Sequence, residues 1–361
     1  MTDDLTLTVN GRAISGWESI RVTRGIERCP SDFEISMTEL FPGESGANEV
    51  VVQPGDACTI SLGGDLVITG YVDRYHPSIT ATEHTIRITG RGKCQDLVDC
   101  SAEWPNGQIT GSSALQIAKN LAKPYPGLNV TATQEDVGPP IPQFNLILGE
   151  TAFEIIERIC RFRGLLAYDL PDGSLFLTRV GSGSAASGFT EGQNVQEASI
   201  EYSMDQRFSE YDSYLQSMQT LGDIGNGGNQ FGKAHDVNVP RNRKMAIIAE
   251  ASGGGMDVCL QRGWWEAARR AGRANQLMLT TDGWRDSAGV LWTPNTLVPL
   301  SLPSLKLPNA SWIISEVTYK RDENGTTADL IIMPPDAFLP QPILLQPFAA
   351  DVEEAMRNAN R

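Results

Sequence analysis

The chain has 361 residues, of which 40% are hydrophobic and 20% charged, and its formal net charge is −15, from 44 acidic and 29 basic side chains. This length exceeds what one hydrophobic core usually supports and predicts about two to four globular domains. The acidic balance and the lack of a long basic run argue against tight or sequence-specific binding of nucleic acid.

Apolar runs and cysteines indicate whether the protein is secreted, membrane-spanning or cytoplasmic. The N-terminus is acidic, and the apolar run at 343–350 is short and interrupted, so we expect neither a secretion signal nor a transmembrane segment. The cysteines form no Cys-x-x-Cys pair and have mostly apolar neighbours, which favours buried free thiols in a reducing cytoplasm over a disulfide framework. They lie at positions 29, 58, 94, 100, 160 and 259.

The chain opens with a series of antiparallel strands. A hairpin at 5–17 turns at Asn10-Gly11, a pair typical of tight hairpin turns. Alternating apolar and polar residues then predict further strands. These are at 20–23, 33–37, 57–62, 66–72 and 85–89. Because closure removes exposed sheet edges, we expect a first β-barrel over residues 1–96.

The pattern changes to a helical period after residue 100. The capping pairs at 113–116 and 151–154 predict the starts of two helices, and Gly164 predicts the end of the second. A strand at 128–133 and a hairpin at 165–179 accompany them. We expect a small α+β domain over 97–188, whose Gly/Ser/Ala-rich end at 181–188 forms a flexible linker or exposed loop.

A copy of the first strand series recurs roughly 240 residues further along the chain. It comprises strands at 198–203, 211–218, 297–302, 312–319 and 328–333. We therefore predict a second, similar barrel over residues 189–220 and 290–338. The fold class is α+β, mainly β: two similar antiparallel β-barrels with a small α+β domain between them and a helix-containing insertion in the second barrel.

The insertion covers 221–289. Its Gly/Asn-rich segment at 222–232 is expected to be mobile, and a strand at 245–249 precedes a helix at 256–276. The helix carries a group of basic residues, Arg262, Arg269, Arg270 and Arg273. These form either a solvated basic face or a docking site for an acidic partner, and the solvated face is the more common case.

A Pro-rich C-terminal arm at 339–361 ends the chain. Such an arm has few ways to bury apolar residues alone. We expect Phe338, Leu344, Leu345 and Phe348 to pack on another domain or subunit.

Residues that carry chemistry are sparse. His76, His84 and His235 have no partner at metal-binding spacing, and the sequence contains no His-Glu-x-x-His, Gly-x-Ser-x-Gly or Walker-type motif. The glycines of Gly90-Arg91-Gly92-Lys93 more plausibly allow a strand to leave the barrel than cradle a phosphate. We predict no catalytic, cofactor-binding or metal-binding residue.

Glu103 beside Trp104 is the nearest approach to a sugar-cleaving site, because glycosidases place acids next to aromatic rings. A partly buried tryptophan with a solvated acidic neighbour is the more ordinary explanation.

Seven stretches, in the same order along most of the chain, match a known family. They are Gly11-Arg12 through Gly16-Trp17, Val22 to Glu27, Thr69 to Asp73, Gly90 to Cys100, Arg207 to Tyr211, Asp282 to Trp284, and Leu291 to Asn295. In these stretches the chain resembles the baseplate hub protein of contractile-tailed bacteriophages, the Mu-like tail protein family.

The resemblance implies a structural protein without enzymatic activity or cofactor. It implies a homotrimer whose two barrels per subunit form a six-part ring, which adapts a threefold central spike to a sixfold tail tube and encloses the DNA channel. The implied partners are other copies of the chain, the central spike protein, the tail tube or tube-initiating proteins, and other baseplate proteins. The implied location is the tail baseplate of the virion, after assembly in the host bacterial cytoplasm.

Three alternatives remain open at this stage. The chain could be the hub of another contractile injection system, a tail-associated peptidoglycan hydrolase that uses Glu103 or another acid, or a carbohydrate-binding module that uses its tryptophans.

Overall fold

The computed structural model describes residues 4–38, 52–81, 84–104, 107–133, 140–181, 183–216, 229–248, 256–323 and 325–338. About half of these residues lie in strands and far fewer in helices, which confirms the prediction of a mainly β chain. Within these ranges, no helix is at once long and apolar enough to cross a lipid bilayer.

The first part of the chain consists of strands with one buried face. In the first of them, Leu5, Leu7 and Val9 are buried and the residues between them are partly exposed, which is the period of two that a half-buried strand requires. The strands are β1 (Leu5–Val9), β2 (Arg12–Ile14), β3 (Ser19–Gly25), β4 (Asp32–Thr38), β5 (Ala57–Leu62), β6 (Asp65–Ile79) and β7 (His84–Gly92).

A small domain follows, with its own hydrophobic core. Its elements are α1 (Gln95–Asp99), β8 (Gln108–Ser112), α2 (Ala114–Ala122), β9 (Val130–Ala132), β10 (Ile141–Asn145), α3 (Ala152–Arg163), β11 (Leu166–Asp169) and β12 (Leu175–Thr178). Both predicted helices are confirmed. Thr151 and Glu154 form the expected capping box at the start of α3, and Gly164 ends it in the left-handed conformation, at φ 70°.

The remaining elements return to the strands of the first part and add one long helix. They are β13 (Gly183–Ser184), β14 (Phe189–Thr190), β15 (Glu197–Tyr202), β16 (Glu210–Gln216), β17 (Asn229–His235), β18 (Lys244–Ile248), α4 (Met256–Arg273), β19 (Asn275–Asp282), β20 (Thr296–Leu302), β21 (Leu307–Asp322) and β22 (Gly325–Met333). Two short 3-10 turns lie at 303–305 and 335–338.

One large sheet, here called the main sheet, contains strands from both halves of the chain. Its order is β15-β19-β22-β21-β3-β4-β7-β6-β5-β1-β2, and β20 pairs with β21, β13 and β14 beside this path. The halves meet where β21 pairs antiparallel with β3, with Tyr319 opposite Val22. One continuous hydrophobic core lies under both halves.

The two halves of the main sheet repeat one strand order, which agrees with the predicted repeat except at the strand 211–218. In each half three consecutive strands form a meander, β5-β6-β7 in one and β20-β21-β22 in the other. The last strand of the meander then pairs with an earlier strand, β4 or β19, which pairs with a still earlier one, β3 or β15. Strand pairing within the described residues closes neither half into a ring, so the two barrels stay a prediction.

The prediction for the strand at 211–218 was wrong. It was assigned to the second barrel, but β16 lies in a separate three-stranded sheet with β17 and β18. The strand that occupies its expected place is β19, which we had included in the insertion. Leu277 and Leu279 of β19 are buried and Met278 is exposed, so the half-buried pattern was present directly after the long helix.

Two other segments differ from expectation. Gly183 and Ser184, expected in a flexible linker or exposed loop, are exposed but pair with β20. Gly188 packs so closely on Pro299 that a Cβ would lie 1.8 Å from its carbonyl oxygen. The segment at 222–232 was expected to be mobile, yet residues 229–232 belong to β17, and the rest lies outside the described residues.

The described chain ends at a contact between all its parts. Phe338 is buried in one cluster with Ile26 of the first half, Tyr168 of the small domain and Ile313 of the second half. Of the four arm residues predicted to pack on another unit, only Phe338 lies within the described residues.

Candidate functional site

The three histidines do not come together. His76 and His84 lie on the neighbouring strands β6 and β7, opposite Arg87 and Ile79 respectively, and His235 ends β17 in the other sheet. Among the residues that the structure describes, no group of three or more His, Cys, Asp or Glu side chains is arranged to hold a metal ion.

The Glu103-Trp104 pair lies at the edge of the small domain. Glu103 is exposed, and Trp104 is partly buried against the core of that domain. The indole Nε1 of Trp104 donates a hydrogen bond to the carbonyl oxygen of Gln108 at 3.1 Å. The contacts of this ring are thus those of a side chain that covers a domain core.

The glycines at 90–92 are required by close packing. A Cβ at Gly90 would lie 2.3 Å from the carbonyl oxygen of Tyr71 and 2.5 Å from the ring of Phe33. A Cβ at Gly92 would lie 2.5 Å from a carboxylate oxygen of Asp169. These glycines let neighbouring strands and the small domain approach β7. This agrees with the prediction that they serve the path of the strand and do not cradle a phosphate.

A buried carboxylate joins the small domain to the main sheet. Asp169, at the end of β11, is only 3% exposed and accepts hydrogen bonds from the backbone N–H of Ser31 at 3.0 Å and from its hydroxyl at 2.8 Å. Burial raises the pKa of Asp169, an effect that the positive charge of Arg24 and the bonds from Ser31 partly offset. The contact joins residues 138 positions apart.

The hairpin tip of the small domain strengthens the same contact. The Thr69 hydroxyl donates to the carbonyl oxygen of Pro171 at 2.8 Å, and the Lys93 N–H donates to the carbonyl oxygen of Thr69 at 3.0 Å. Together with the bonds from Ser31 to Asp169, these bonds hold the small domain on the segment before β4 and on β6 and β7. We call this contact the seam.

Asn295 makes a second junction, between the small domain and the second half. It is fully buried, with a left-handed φ of 65°. Its Oδ1 accepts from the N–H of Gly181 at 2.7 Å, and its Nδ2 donates to the carbonyl oxygen of Arg179 at 2.9 Å and to the Tyr168 hydroxyl at 3.3 Å. One side chain thus orients the chain that leaves the small domain.

The arginines of α4 are engaged in internal contacts. Arg262 and Arg270 both bind Glu266, at 2.8 and 2.6 Å, and Arg273 binds Glu27 of the first half. The side chains of all four arginines are less than about 40% exposed. Outside the helix, Arg269 and Arg273 contact Glu27, and Arg270 donates to the carbonyl oxygen of Gln206 at 3.1 Å. These contacts differ from the solvated basic face predicted as the more common case, because three of the four cations fasten the helix to neighbouring segments.

The path of the main sheet ends in two edge strands, and several apolar side chains of the described residues are exposed. Among the described strands, β15 pairs only with β19 and β2 pairs only with β1. Large apolar side chains that are more than half exposed occur in every part of the chain. They are Ile79, Ile147, Leu148, Val237, Ile248, Trp264 and Val290. An unpaired edge strand offers backbone groups to which another chain can bond, whereas single apolar side chains scattered over a surface are ordinary.

The sequence did not identify Asp169 and Asn295, the two residues that join the small domain to the rest of the chain. Asp169 carried a weak signal, since it is a charged residue in an otherwise apolar predicted strand. Asn295 carried another, because asparagine tolerates the left-handed conformation better than most residues. Neither signal identifies the distant partner.

Comparison with known proteins gives three matching family models. The second domain of the gp44-like baseplate hub proteins matches residues 94–179. The N-terminal domain of the Mu phage baseplate assembly protein GpP-like group matches residues 4–92, and the fourth domain of the Mu phage baseplate assembly protein GpP matches residues 256–341.

Individual proteins are similar over nearly the whole chain. Baseplate hub protein gp44 of Escherichia phage Mu is 31% identical over 347 residues, which cover 94% of this chain and 90% of that protein. The crystal structure of the 43 kDa tail protein of prophage MuSo2 from Shewanella oneidensis matches with a TM-score of 0.83 at 31% identity, covering 93% of this chain and 99% of that one. A tail protein from Neisseria meningitidis MC58 shares the fold, with a TM-score of 0.79 at 20% identity, over 95% of this chain and 99% of its own.

Proposed function

From the premise that this chain belongs to the family of gp44-like baseplate hub proteins, and so has a structural role in a phage tail baseplate, we propose that it forms a homotrimeric hub. In this proposal the trimer is a ring that encloses the DNA channel. One end of the ring meets the central spike protein, and the other meets the tail tube or the proteins that initiate it. The chain acts by assembly and catalyses no reaction.

The repeated strand order is the observation that carries this proposal. Each chain contributes two five-strand units with the same connectivity, β3-β4-β5-β6-β7 and β15-β19-β20-β21-β22. Three chains around an axis then present six similar units. Such a ring has threefold symmetry in sequence and approximate sixfold symmetry in shape, so it can join a threefold spike to a sixfold tube.

The open edges of the main sheet support self-association. Ser203 N–H donates to the carbonyl oxygen of Ala274 at 2.8 Å, so alternate residues of β15 bond to β19. The backbone groups of Ala198, Ile200 and Tyr202 then face away from the sheet. A head-to-tail contact that uses this edge on each subunit closes a ring when the rotation between subunits is 120°.

The negative charge suits a DNA channel. A protein binds DNA tightly when its basic side chains displace the counterions that surround the phosphates. A net-negative wall does not displace them, so DNA passes without being retained. We place the two barrels of the earlier prediction within this ring, since each repeated unit has enough strands for a small barrel.

The test is the mass of the purified chain in solution. We expect mass photometry at micromolar concentration to give three times the chain mass, and a map of the tail tip to show the chain as a ring. A purely monomeric chain, with no ring in the tail map, contradicts the proposal. A peptidoglycan zymogram tests the absence of catalysis, and a cleared zone would contradict it.

A substitution in the open edge tests the assembly surface. Ala198→Pro removes an N–H that faces away from β19 and leaves the pairing within the chain intact, because proline is tolerated at the free side of edge strands. We expect this variant to fold and to lose the trimer. Ala198→Ser keeps the N–H and is expected to remain trimeric.

A further inference from the structure

Two cysteines meet at the seam. The strand register pairs Asp32 with Arg91, and three residues further along each strand end Cys29 packs against the core cluster that contains Cys94. Cys29 follows β3 of the main sheet, and Cys94 precedes α1 of the small domain. The segments that carry them are held together by the Gly92 N–H, which donates to the carbonyl oxygen of Ser31 at 2.8 Å.

The two thiols differ in their access to solvent. Cys94 is 0% exposed and belongs to the core of the small domain. Cys29 is partly exposed and lines a surface cavity of about 460 Å³, together with Arg28 and Arg91. A small reagent that enters this cavity therefore meets Cys29 and not the fully buried Cys94.

We propose that Cys29 and Cys94 form an oxidation site, at which a hydroperoxide such as hydrogen peroxide converts the two thiols into a disulfide between the main sheet and the small domain. Peroxide oxidises the Cys29 sulfur to a sulfenic acid and releases one water. The Cys94 sulfur then attacks the Cys29 sulfur, the S–S bond forms, and the hydroxyl leaves as a second water with the Cys94 proton. The two electrons that the thiols lose reduce one peroxide to two waters.

The stage at which this disulfide forms is inferred from the proposed function. A hub assembles in a reducing cytoplasm, where thiols persist, and then acts outside the cell, where disulfides persist. A cross-link at the seam fixes the small domain to the main sheet during the extracellular stage.

The surroundings make the reaction slow and dependent on pH. The neighbouring Cys94 thiol and burial both raise the pKa of Cys29, so the reactive thiolate is scarce at neutral pH. The rate of oxidation is therefore expected to rise with pH, roughly tenfold for each pH unit below that pKa. Slow oxidation is compatible with a particle that must first assemble in reduced form.

The other cysteines provide internal controls. Cys58 lies in the core of the main sheet, and Cys160 lies in the core of the small domain. Cys100 is exposed, so its oxidation reports on general reactivity.

The test uses the full chain, purified with reductant and then treated with hydrogen peroxide at pH 7 and pH 8.5. After alkylation of the remaining thiols under denaturing conditions, we expect peptide mass spectrometry to find Cys29 joined to Cys94, with faster formation at pH 8.5. The melting temperature should rise by roughly 5 °C or more, because the disulfide closes a long loop. Cys94→Ser should leave Cys29 as a sulfenic or sulfinic acid without this rise.

The proposal is overturned if Cys29 accumulates as a sulfinic or sulfonic acid in the unsubstituted chain, or if peroxide produces only cross-links through Cys100. Purified particles separate this inference from the proposed function. Particles that contain the chain at the tail tip with both thiols reduced contradict the disulfide alone, whereas particles without the chain contradict the hub function.

Discussion

Asp169 and Ser31, which are 138 residues apart, are joined by three hydrogen bonds in the interior of the protein. The carboxylate belongs to the small domain and the serine to the main sheet. A carboxylate is normally too costly to bury, and its retention here depends on the bonds from Ser31 and on the nearby charge of Arg24. This polar contact thus helps to set the relative position of two folding units, together with the Thr69–Pro171 bond and the junction at Asn295.

Removing this carboxylate should weaken the seam. Asp169→Ala leaves the buried N–H and hydroxyl of Ser31 without an acceptor, and we expect a loss of about 1–3 kcal/mol in the free energy of unfolding. Urea denaturation followed by circular dichroism measures it. Asp169→Asn keeps one acceptor oxygen and should lose less than the alanine variant. Equal losses in the free energy of unfolding for the two variants would show that the acceptor oxygen of residue 169 does not stabilise the seam.

Close packing at β7 gives a second prediction. Gly90→Ala places a methyl group 2.3 Å from the Tyr71 carbonyl oxygen, so the strands must separate, and we expect a loss of about 1–3 kcal/mol or more. Thermal unfolding is the measurement. The control is Gly183→Ala, since no atom lies within 4 Å of the added methyl group there. A Gly90→Ala variant as stable as the control would contradict the packing described for β7.

Local patterns predicted much of the fold, because strand and helix signals depend on neighbouring residues. The alternation at 85–89 and the capping box at 151–154 each identify an element without knowledge of the rest of the chain. The internal repeat was visible for the same reason, since each copy opens at a proline, Pro54 or Pro294, and has strands of similar length.

Sheet membership was not predictable in this way. The pattern at 211–218 predicts a strand, but it does not predict which sheet that strand joins. The long helix α4 packs on β16 and β17 at Gly263 and Gly232, where a Cβ would contact Ala234 and Cys259. A pattern within one segment carries no information about such a distant partner.

The same limit applies to the candidate site. The family resemblance supplied the structural role in a baseplate, and the similarity to baseplate hub protein gp44 of phage Mu supports it. The contacts at the seam, by contrast, depend on residues such as Ser31 and Asp169 that no motif connects.

The sheet of the insertion should respond to acid. Lys244 and Lys233 donate to the carboxylate of Glu210 and lower its pKa from 4.5 to about 2. A carboxylate with a lowered pKa in the folded state contributes stability above its ordinary pKa of 4.5, and this contribution is lost as the pH falls through about 2. We expect amide hydrogen exchange in β16–β18 to accelerate as the pH falls across this window, beyond the intrinsic change of exchange with pH.

The variant Glu210→Gln tests this assignment. It should already show the faster corrected exchange at pH 5, and its difference from the unsubstituted chain should shrink as the pH falls toward 2. Glu103→Gln is the matched control, because Glu103 lies in the small domain, away from this sheet. If the difference between the Glu210 variant and the unsubstituted chain stayed constant from pH 5 to pH 2, the ion pairs would not be its cause.

The junction at Asn295 allows backbone and side-chain effects to be separated. Asn295→Gly keeps the left-handed φ of 65° without strain but removes the three side-chain hydrogen bonds, and should cost about 1–3 kcal/mol. Asn295→Ala removes the same bonds and must also hold a methyl group in the left-handed region, so about 1 kcal/mol more should be lost. The control Asn10→Gly changes an exposed turn at φ 50° and should be nearly neutral.

Urea denaturation measures the free energies of unfolding of these variants. At position 295 we expect asparagine to be the most stable, glycine the next and alanine the least. An alanine variant more stable than the glycine variant would mean that the conformation at this position is not left-handed in solution.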